Sequence, residues 1–253
     1  MKILILGAAG MAGSMITKYL SNYYDITAWT RDDFDVLKNN LPNFDVYDYV
    51  INCIGIIKQK ASKEDDKKMF QVNTVFPHVL SLNCKKLIHI SSDCVFSGKI
   101  PKEQSYSISD VKDAEDSYGQ SKADGEPIHK ALVLRTSIIG PAKDNFGLFE
   151  WFKNTQENPV KGFENHLWSG ITTLELAKVI HNIIDNNFYS CGLYQIASEK
   201  ISKLNLLLLI NSIFDLNKNI ISCMATDTIN RSLIADIKAK DIHVQLLELK
   251  EIK

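Results

Sequence analysis

The run Lys2-Ile3-Leu4-Ile5-Leu6-Gly7-Ala8-Ala9-Gly10-Met11-Ala12-Gly13 decides how the rest of the chain is read. Its continuous apolar start fits a strand buried on both faces, as in a parallel sheet. The G-x-x-G-x-x-G spacing that follows opens a helical pattern from Met11 to Leu20. Strand, glycine turn and helix in this order make a dinucleotide-binding turn. The glycines permit a tight turn and close approach of backbone to a pyrophosphate, whose charge the helix N-terminus favours. Gly7, Ala9, Gly10, Met11, Ala12 and Gly13 are therefore candidate cofactor-binding residues. A purely structural turn is the alternative.

Strand and helix patterns alternate downstream. Strands are expected at Asp25–Thr30, at Asp33–Val36 as a short third, at Tyr49–Ile54, Lys86–Ile90, Ala131–Ser137 and, last, Leu193–Ala197. Helical spacing marks 64–84, with a kink or break at Pro77, and 115–130. Thr172 and Glu175 form a capping-box pattern ahead of the apolar stripe of a helix to Ile184. A further apolar helix is read at Lys203–Phe214. The run Lys60 to Lys68 reads as a solvated helix face and loop. Alternation of this kind builds right-handed βαβ units. The expected fold is α/β, a doubly wound parallel Rossmann sheet with a small C-terminal substrate-binding lobe. Residues 1–140 and 172–198 are assigned to the nucleotide-binding domain. Residues 141–171 and 199–253, where alternation weakens, are assigned to the lobe.

Composition narrows the function classes. The 253 residues carry 29 Lys+Arg against 30 Asp+Glu, so neither nucleic acid nor a membrane surface is an expected partner. The longest apolar stretch, Val50–Ile57, is far below the ~20 residues of a bilayer span, and the N-terminus reads as a strand rather than a signal peptide. Cys53, Cys84, Cys94, Cys191 and Cys223 are odd in number and widely spaced. That pattern predicts neither disulfides nor a metal site, and a reducing, cytoplasmic setting.

Arg31, Arg135 and Arg231 are the only arginines among the 29 basic residues. Where Lys otherwise serves, a retained Arg suits bidentate or stacked contacts. Arg31 directly follows the second strand, where an acid would hold the ribose of NAD and an Arg the 2′-phosphate of NADP. Arg31 predicts NADP(H). Asp32 lies about where an NAD-type acid would stand, so NAD stays open.

Two further motifs carry chemistry. Tyr118 and Lys122, in Tyr118-Gly119-Gln120-Ser121-Lys122, share one helix face. A free phenol has a pKa of ~10, and a neighbouring ammonium is expected to lower it. Ser91 and Ser92 directly follow the strand Lys86–Ile90, and ligands of an open parallel sheet bind beyond the C-terminal ends of strands. A serine there is placed either to contact a substrate carbonyl or to cap a turn.

These motifs, in this order, resemble the extended short-chain dehydrogenase/reductase superfamily, and within it the dTDP-4-dehydrorhamnose reductase-like sugar-nucleotide enzymes. The matching stretches are the glycine turn, Asn52–Gly55, Val72-Asn73, Ser91–Gly98, Tyr118–Glu126, Leu134–Gly140 and Arg231-Ser232-Leu233. The resemblance implies that Tyr118 protonates a ketone oxygen as hydride arrives and that Ser92 hydrogen-bonds the same oxygen. Lys122 would lower the tyrosine pKa and hold the nicotinamide ribose, with Asn73 supporting it through a proton relay. Asp35 and Val36 would flank the adenine, and Cys53, Ile54 and Gly55 would line the cofactor.

The resemblance also sorts activities. In related 4,6-dehydratases an Asp-Glu pair follows the catalytic hydroxyl residue, and here it is Asp93-Cys94, so the base is missing. In enzymes that epimerise before reducing, a Cys at this position works with a His, a role open to Cys94 and His166. Cys94 is also readable as a small wall residue, and His166 as an ordinary surface or core residue. Trp151, His166 and Trp168 fall in the expected substrate lobe, to stack on the ligand or to pack the lobe, and Arg231 is placed to contact a diphosphate. The implied activity is NADPH-dependent reduction of the 4-keto group of a nucleotide-diphosphate-linked 6-deoxy-hexulose, of the L-rhamnose or 2-acetamido type. The alternatives are an epimerase-reductase and a non-catalytic NADP-binding regulatory subunit. A homodimer completing the small lobe stays open.

Overall fold

The computed structural model describes residues 1–57, 66–143 and 145–252. In chain order the first half contains β1 (Lys2–Leu6), α1 (Met11–Leu20), β2 (Asp25–Trp29), β3 (Tyr49–Asn52), α2 (Asp66–Phe70), α3 (Phe76–Ser81), β4 (Leu87–Ser92), α4 (Ser117–Asp124) and β5 (Leu132–Thr136). There follow β6 (Ile138–Ile139), α5 (Leu148–Asn154), β7 (Val160–Phe163), β8 (His166–Trp168), β9 (Ile171–Thr172), α6 (Thr173–Asp185) and β10 (Gly192–Ala197). The chain ends with β11 (Ile201–Ser202), α7 (Lys203–Ile213), β12 (Ile220–Cys223), β13 (Ile229–Asn230), β14 (Ile237–Lys238) and α8 (Ile242–Glu251).

Among the described residues the main sheet has seven strands in the order β14-β10-β5-β4-β3-β1-β2, every pair parallel. Successive side chains of a strand point to opposite faces. Ile3, Ile5 and Ile51 accordingly pack on Ile16 and Leu20 of α1 and Leu176, Ala177 and Ile180 of α6. Leu4, Leu6 and Val50 pack on the other side against Phe34, Phe44, Phe76 and Leu80. Both faces are covered, which explains why these strands are apolar throughout rather than alternating. The order reverses at β1, flanked by β2 and β3, and this reversal opens the crevice where such sheets bind ligands.

Several expectations are corrected. Asp33–Val36 is not a strand: the segment turns, Thr30 N and Oγ1 both donate to Asp33 Oδ2 at 2.8 Å, and Phe34 plugs the core. The helix expected over 115–130 is only Ser117–Asp124, because Gly125 and Pro127 end it. Leu193–Ala197 is not the last strand of the sheet, since Ile237–Lys238 pairs alongside it. The chain stays helical from Asp66 to Ser81, with a π turn over Gln71–Val75. Pro77 has no N–H for the Asn73 carbonyl four residues back, and the helix widens there instead of breaking. The start of that expected helix, and Lys60 to Asp65 of the charged run, lie outside the described residues.

The Thr172 cap forms: its side chain accepts from Glu175 N at 3.1 Å, a bond of the kind worth about 1 kcal/mol. Glu175 does not complete the box, because Thr172 N donates to Gln245 Oε1 at 2.7 Å.

The two later segments meet. Phe149, Phe152 and Val160 share a core with Leu206, Leu207 and Ile210, β12 pairs with β7, and β8 lies between β11 and β13. Among the described residues no helix is long and apolar enough to cross a membrane.

Candidate active site

The glycine turn sits where β1 passes into α1. Gly7 has φ +77°, a conformation that favours glycine, and a Cβ on Gly13 would overlap the Gly7 carbonyl oxygen. Gly10 caps α1 without a side-chain bond, and the first turn holds no acid. Backbone donors at this helix start are therefore left to a ligand.

Two cavities meet at this turn. The first, of about 250 Å³, is lined by Gly7, Ala9, Gly10, Arg31, Asp35 and Val36, and by Cys53, Ile54 and Gly55 opposite. Arg31 Nε donates to Asp35 Oδ2 at 3.1 Å while the guanidinium stays largely exposed. Asp35 Oδ1 accepts from Leu37 N at 2.9 Å. That backbone bond is the main reason its carboxyl lies below the ordinary range; burial opposes it and Arg31 adds to it.

The second cavity, of about 460 Å³, runs from Gly10, Met11 and Ala12 past Cys53–Gly55 to Ser92, Cys94, Tyr118 and Lys122. Helix α4 is seated closely enough to present Tyr118 and Lys122 to this cavity. A Cβ on Gly119 would overlap the Cys94 carbonyl, and one on Gly125 the Asn73 carbonyl. Asp116 caps α4 by accepting from Gly119 N at 2.8 Å.

Burial, aided by the facing Cys94, pushes the Tyr118 hydroxyl above the ordinary tyrosine value, against the opposing interaction with Ser92. The expectation that Lys122 lowers it is not met in this structure. Lys122 donates instead to the Ile90 carbonyl at 2.7 Å. Burial brings the Lys122 ammonium down to about 8, with Glu126 and Cys53 opposing. Ser92 Oγ accepts from Cys94 N at 3.1 Å and donates to Asp93 Oδ1 at 3.2 Å. It thus caps the short turn Asp93–Val95 while facing the cavity. Asn73 does not touch Lys122 through its side chain. Its Oδ1 accepts from Ile56 N at 2.8 Å, and its Nδ2 donates to the Ile56 carbonyl at 2.9 Å and Ser121 Oγ at 3.0 Å.

A third cavity, of about 310 Å³, adjoins the second and is lined by Cys94, His166, Trp168, Lys203 and Arg231. Arg231 Nε donates to the Phe96 carbonyl at 2.9 Å, and Nη1 lies 3.9 Å from Cys94 Sγ. His166 Nε2 lies 3.2 Å from the Asp227 carbonyl, and burial lowers its pKa. Burial, helped by Asp93, raises the Cys94 thiol to about 12. Trp151 is not brought into this cavity; it stands behind it, against Lys203.

Sequence reading missed several lining residues. Asp116 had a signal, an Asp before a helix start. Thr136 and Ser137, at the C-terminal end of β5, had the same signal as Ser92. Gly147, with φ +99° and backing on Met11, and Lys203 had none that local pattern reveals.

The comparisons agree with this architecture. The solved structure of a dTDP-4-dehydrorhamnose reductase from Clostridium acetobutylicum is 20% identical over 99% of both chains, with a TM-score of 0.81. One from Bacillus anthracis, in complex with NADP, is 18% identical over 98% of both, with a TM-score of 0.78. A UDP-N-acetylglucosamine 4-epimerase from Methanobrevibacter ruminantium, in complex with UDP-N-acetylmuramic acid, is 19% identical over 98% of this chain and 96% of that one, at 0.77. A search of curated proteins finds no match. At these identities the structures speak for the fold. The family model described as the RmlD substrate binding domain matches residues 1–238, and the chain belongs to that family.

Proposed function

We propose that this protein is an NADPH-dependent reductase of the 4-keto group of a nucleotide-diphosphate-linked 6-deoxy-hexulose. The observation that carries the reading is the convergence of Ser92, Tyr118 and Lys122 on one cavity whose opposite wall is the glycine turn and Cys53–Gly55. The residues fit a dinucleotide. The adenosine half suits the first cavity, with Arg31 at its rim. The pyrophosphate suits the uncapped start of α1, and the nicotinamide half the second cavity. Similar folds are crystallised with NADP or with nucleotide sugars, which supports both ligand classes.

The bound cofactor supplies the hydride. Tyr118, kept neutral by burial, is in the form that donates a proton to the ketone oxygen, and Ser92 orients that oxygen. The Lys122 ammonium, on the same face of α4 as Tyr118 and held by the Ile90 carbonyl, is placed to hold the ribose. Asn73 fixes Ile56 and Ser121, which keeps the cofactor wall and α4 in register. Residues 141–171 and 199–253 serve as the substrate lobe, with Ile237–Lys238 given back to the sheet.

A thiol at about 12 is a poor base near neutrality, which favours plain reduction over epimerisation by Cys94 and His166. The test is NADPH oxidation with dTDP-, UDP- and GDP-linked 4-keto-6-deoxy sugars in heavy water. Oxidation without deuterium at C3 or C5 is expected. Deuterium there supports the epimerase-reductase. Tight NADPH binding with no oxidation by any sugar sinks the proposal and favours a regulatory subunit.

A further inference from the structure

The cavity wall opposite the glycine turn lies past the end of its strand. β3 ends at Asn52, and Cys53 N still donates to the Leu6 carbonyl at 3.0 Å. The next amides turn to side chains. Ile54 N donates to Asn52 Oδ1 at 3.1 Å, and Ile56 N to Asn73 Oδ1 at 2.8 Å. The Ile54 bond sits at a close approach. A Cβ on Gly7 would lie 2.9 Å from the Cys53 carbonyl carbon and 3.0 Å from Ile54 N, so the glycine turn packs directly on the Cys53–Ile54 peptide. Ile54 also lines both the first and the second cavity. The orientation of the Asn52 amide therefore bears on the shape of both.

A primary amide can present either its oxygen or its nitrogen. Asn52 is fully buried, and so is His89, its neighbour across the strands. Asn52 Nδ2 lies 3.1 Å from His89 Nδ1. With Oδ1 on Ile54 N, the NH₂ group faces the ring and must donate. His89 Nδ1 is then the bare acceptor, and Nε2 carries the single ring proton. An imidazolium, or the other tautomer, would set N–H against N–H. Burial, with Lys122 and then His78 adding, also holds the His89 pKa well below its ordinary value. Nε2 is buried and, among the described residues, has no hydrogen-bond partner. A buried donor left unpaired costs stability, and an apolar side chain of similar size would avoid that cost. The bond at Nδ1 explains the imidazole; packing does not.

We propose that His89 is a positioning residue for the dinucleotide. As the Nε2–H tautomer it fixes the Asn52 amide, which holds the Cys53–Ile54 peptide against Gly7. Without an acceptor at this point the amide is free to turn, Ile54 N loses its oxygen, and the wall loosens. The inference rests on the preceding reading that these cavities take NADPH.

The test compares full-length wild type, His89→Leu and His89→Asn. Leucine fills most of the ring's space and offers no acceptor. Asparagine leaves a void but can set Oδ1 where Nδ1 stands. If packing alone mattered, Asn would be the worse of the two in every measurement. If the Nδ1 bond matters, the order reverses for the cofactor alone. Urea melts should rank Leu above Asn. The NADPH Kd, from fluorescence titration, should rise tenfold or more in Leu and stay within about threefold of wild type in Asn. Leu binding within twofold of wild type, or Asn binding more weakly than Leu, overturns the proposal and leaves the reductase reading standing. NMR of wild type carrying nitrogen-labelled histidine gives a measurement that needs no variant. The His89 ring, assigned through its backbone, should show the Nε2–H tautomer, and an Nδ1–H signal there overturns the proposal. Failure of wild type to bind NADPH overturns both readings.

Discussion

Arg135 and Glu126 form a bidentate ion pair with both side chains sealed from solvent: Nε donates to Oε1 at 3.0 Å and Nη2 to Oε2 at 2.8 Å. Glu126 lies just past α4, which carries Tyr118 and Lys122. Arg135 sits in β5 between Ser91 and Gln195, its neighbours across the strands. Ser91 donates to Glu126 Oε1 at 2.6 Å, and Arg135 Nη1 to Gln195 Oε1 at 3.1 Å. The pair thus ties the end of α4 to three strands at once. Arg135→Met leaves the buried Glu126 carboxylate with only the partly exposed Lys112 ammonium, 3.3 Å from Oε2, as a cation, and unfolding free energy from urea melts should drop by about 3 kcal/mol.

The same pair sets an acid limb. Burial raises the Glu126 pKa, but the hydrogen bonds and charge of Arg135 outweigh it, and the carboxyl lies below its ordinary value. A depressed carboxylate contributes stability above the unfolded-state pKa of ~4.3 and loses it as pH falls through the folded value. Stability should therefore hold between neutrality and about pH 5 as far as Glu126 is concerned, then fall. In Glu126→Gln that part of the acid limb should be absent from pH-dependent urea melts.

Lys122 runs the other way. Its folded pKa of about 8 is below the unfolded value of ~10.4, so burying the charge costs stability below pH 8. The cost fades as pH rises through that window and is gone above it. Lys122→Met should be more stable than wild type at pH 7, by up to roughly 3 kcal/mol less the lost bond to the Ile90 carbonyl. The difference should shrink by pH 10. NADPH affinity of wild type should weaken as pH passes from 7 to 9, and that of the variant should be weak and flat. An equally steep loss in the variant would falsify the role of the ammonium.

Gly13→Ala puts a methyl group into the Gly7 carbonyl. Helix α1 must move off β1, at a cost on the order of 1–3 kcal/mol. NADPH affinity should fall at least tenfold, read by fluorescence titration.

Arg31→Ser should weaken NADPH at least tenfold and leave NADH within about twofold, because the guanidinium suits a 2′-phosphate and not a 2′-hydroxyl. Equal losses for both cofactors would assign Arg31 to the adenine pocket wall alone.

Tyr118→Phe should bind NADPH normally and turn over a keto-sugar nucleotide ~100-fold or more slower, the scale of general acid catalysis. Near-normal turnover would remove Tyr118 from the chemistry.

Much of the nucleotide half was legible because its signals are local. The Gly7 turn, the Thr172 cap and the i,i+4 spacing of Tyr118 and Lys122 each lie within a few residues, and backbone geometry alone gives them meaning. Elements misread from sequence were those decided elsewhere. The segment Asp33–Val36 has strand-like residues but is pulled into a turn by the Thr30–Asp33 bonds. The strand Ile237–Lys238 is too short to carry a period, and it is a strand only because β10 offers an open edge. Asn73 could be matched by resemblance, but its partners Ile56 and Ser121 lie 17 and 48 residues away.

By itself the sequence determined the α/β class, the place of the glycine turn, and the face shared by Tyr118 and Lys122. Tertiary structure decided protonation and convergence. Burial, which no window of sequence reports, pushes Tyr118 up and Lys122 down. The meeting of His166, Lys203 and Arg231 spans separate elements of the small lobe. Only the packing of those elements on the sheet puts their charges in one cavity, because electrostatic interaction depends on distance in space and not on separation along the chain.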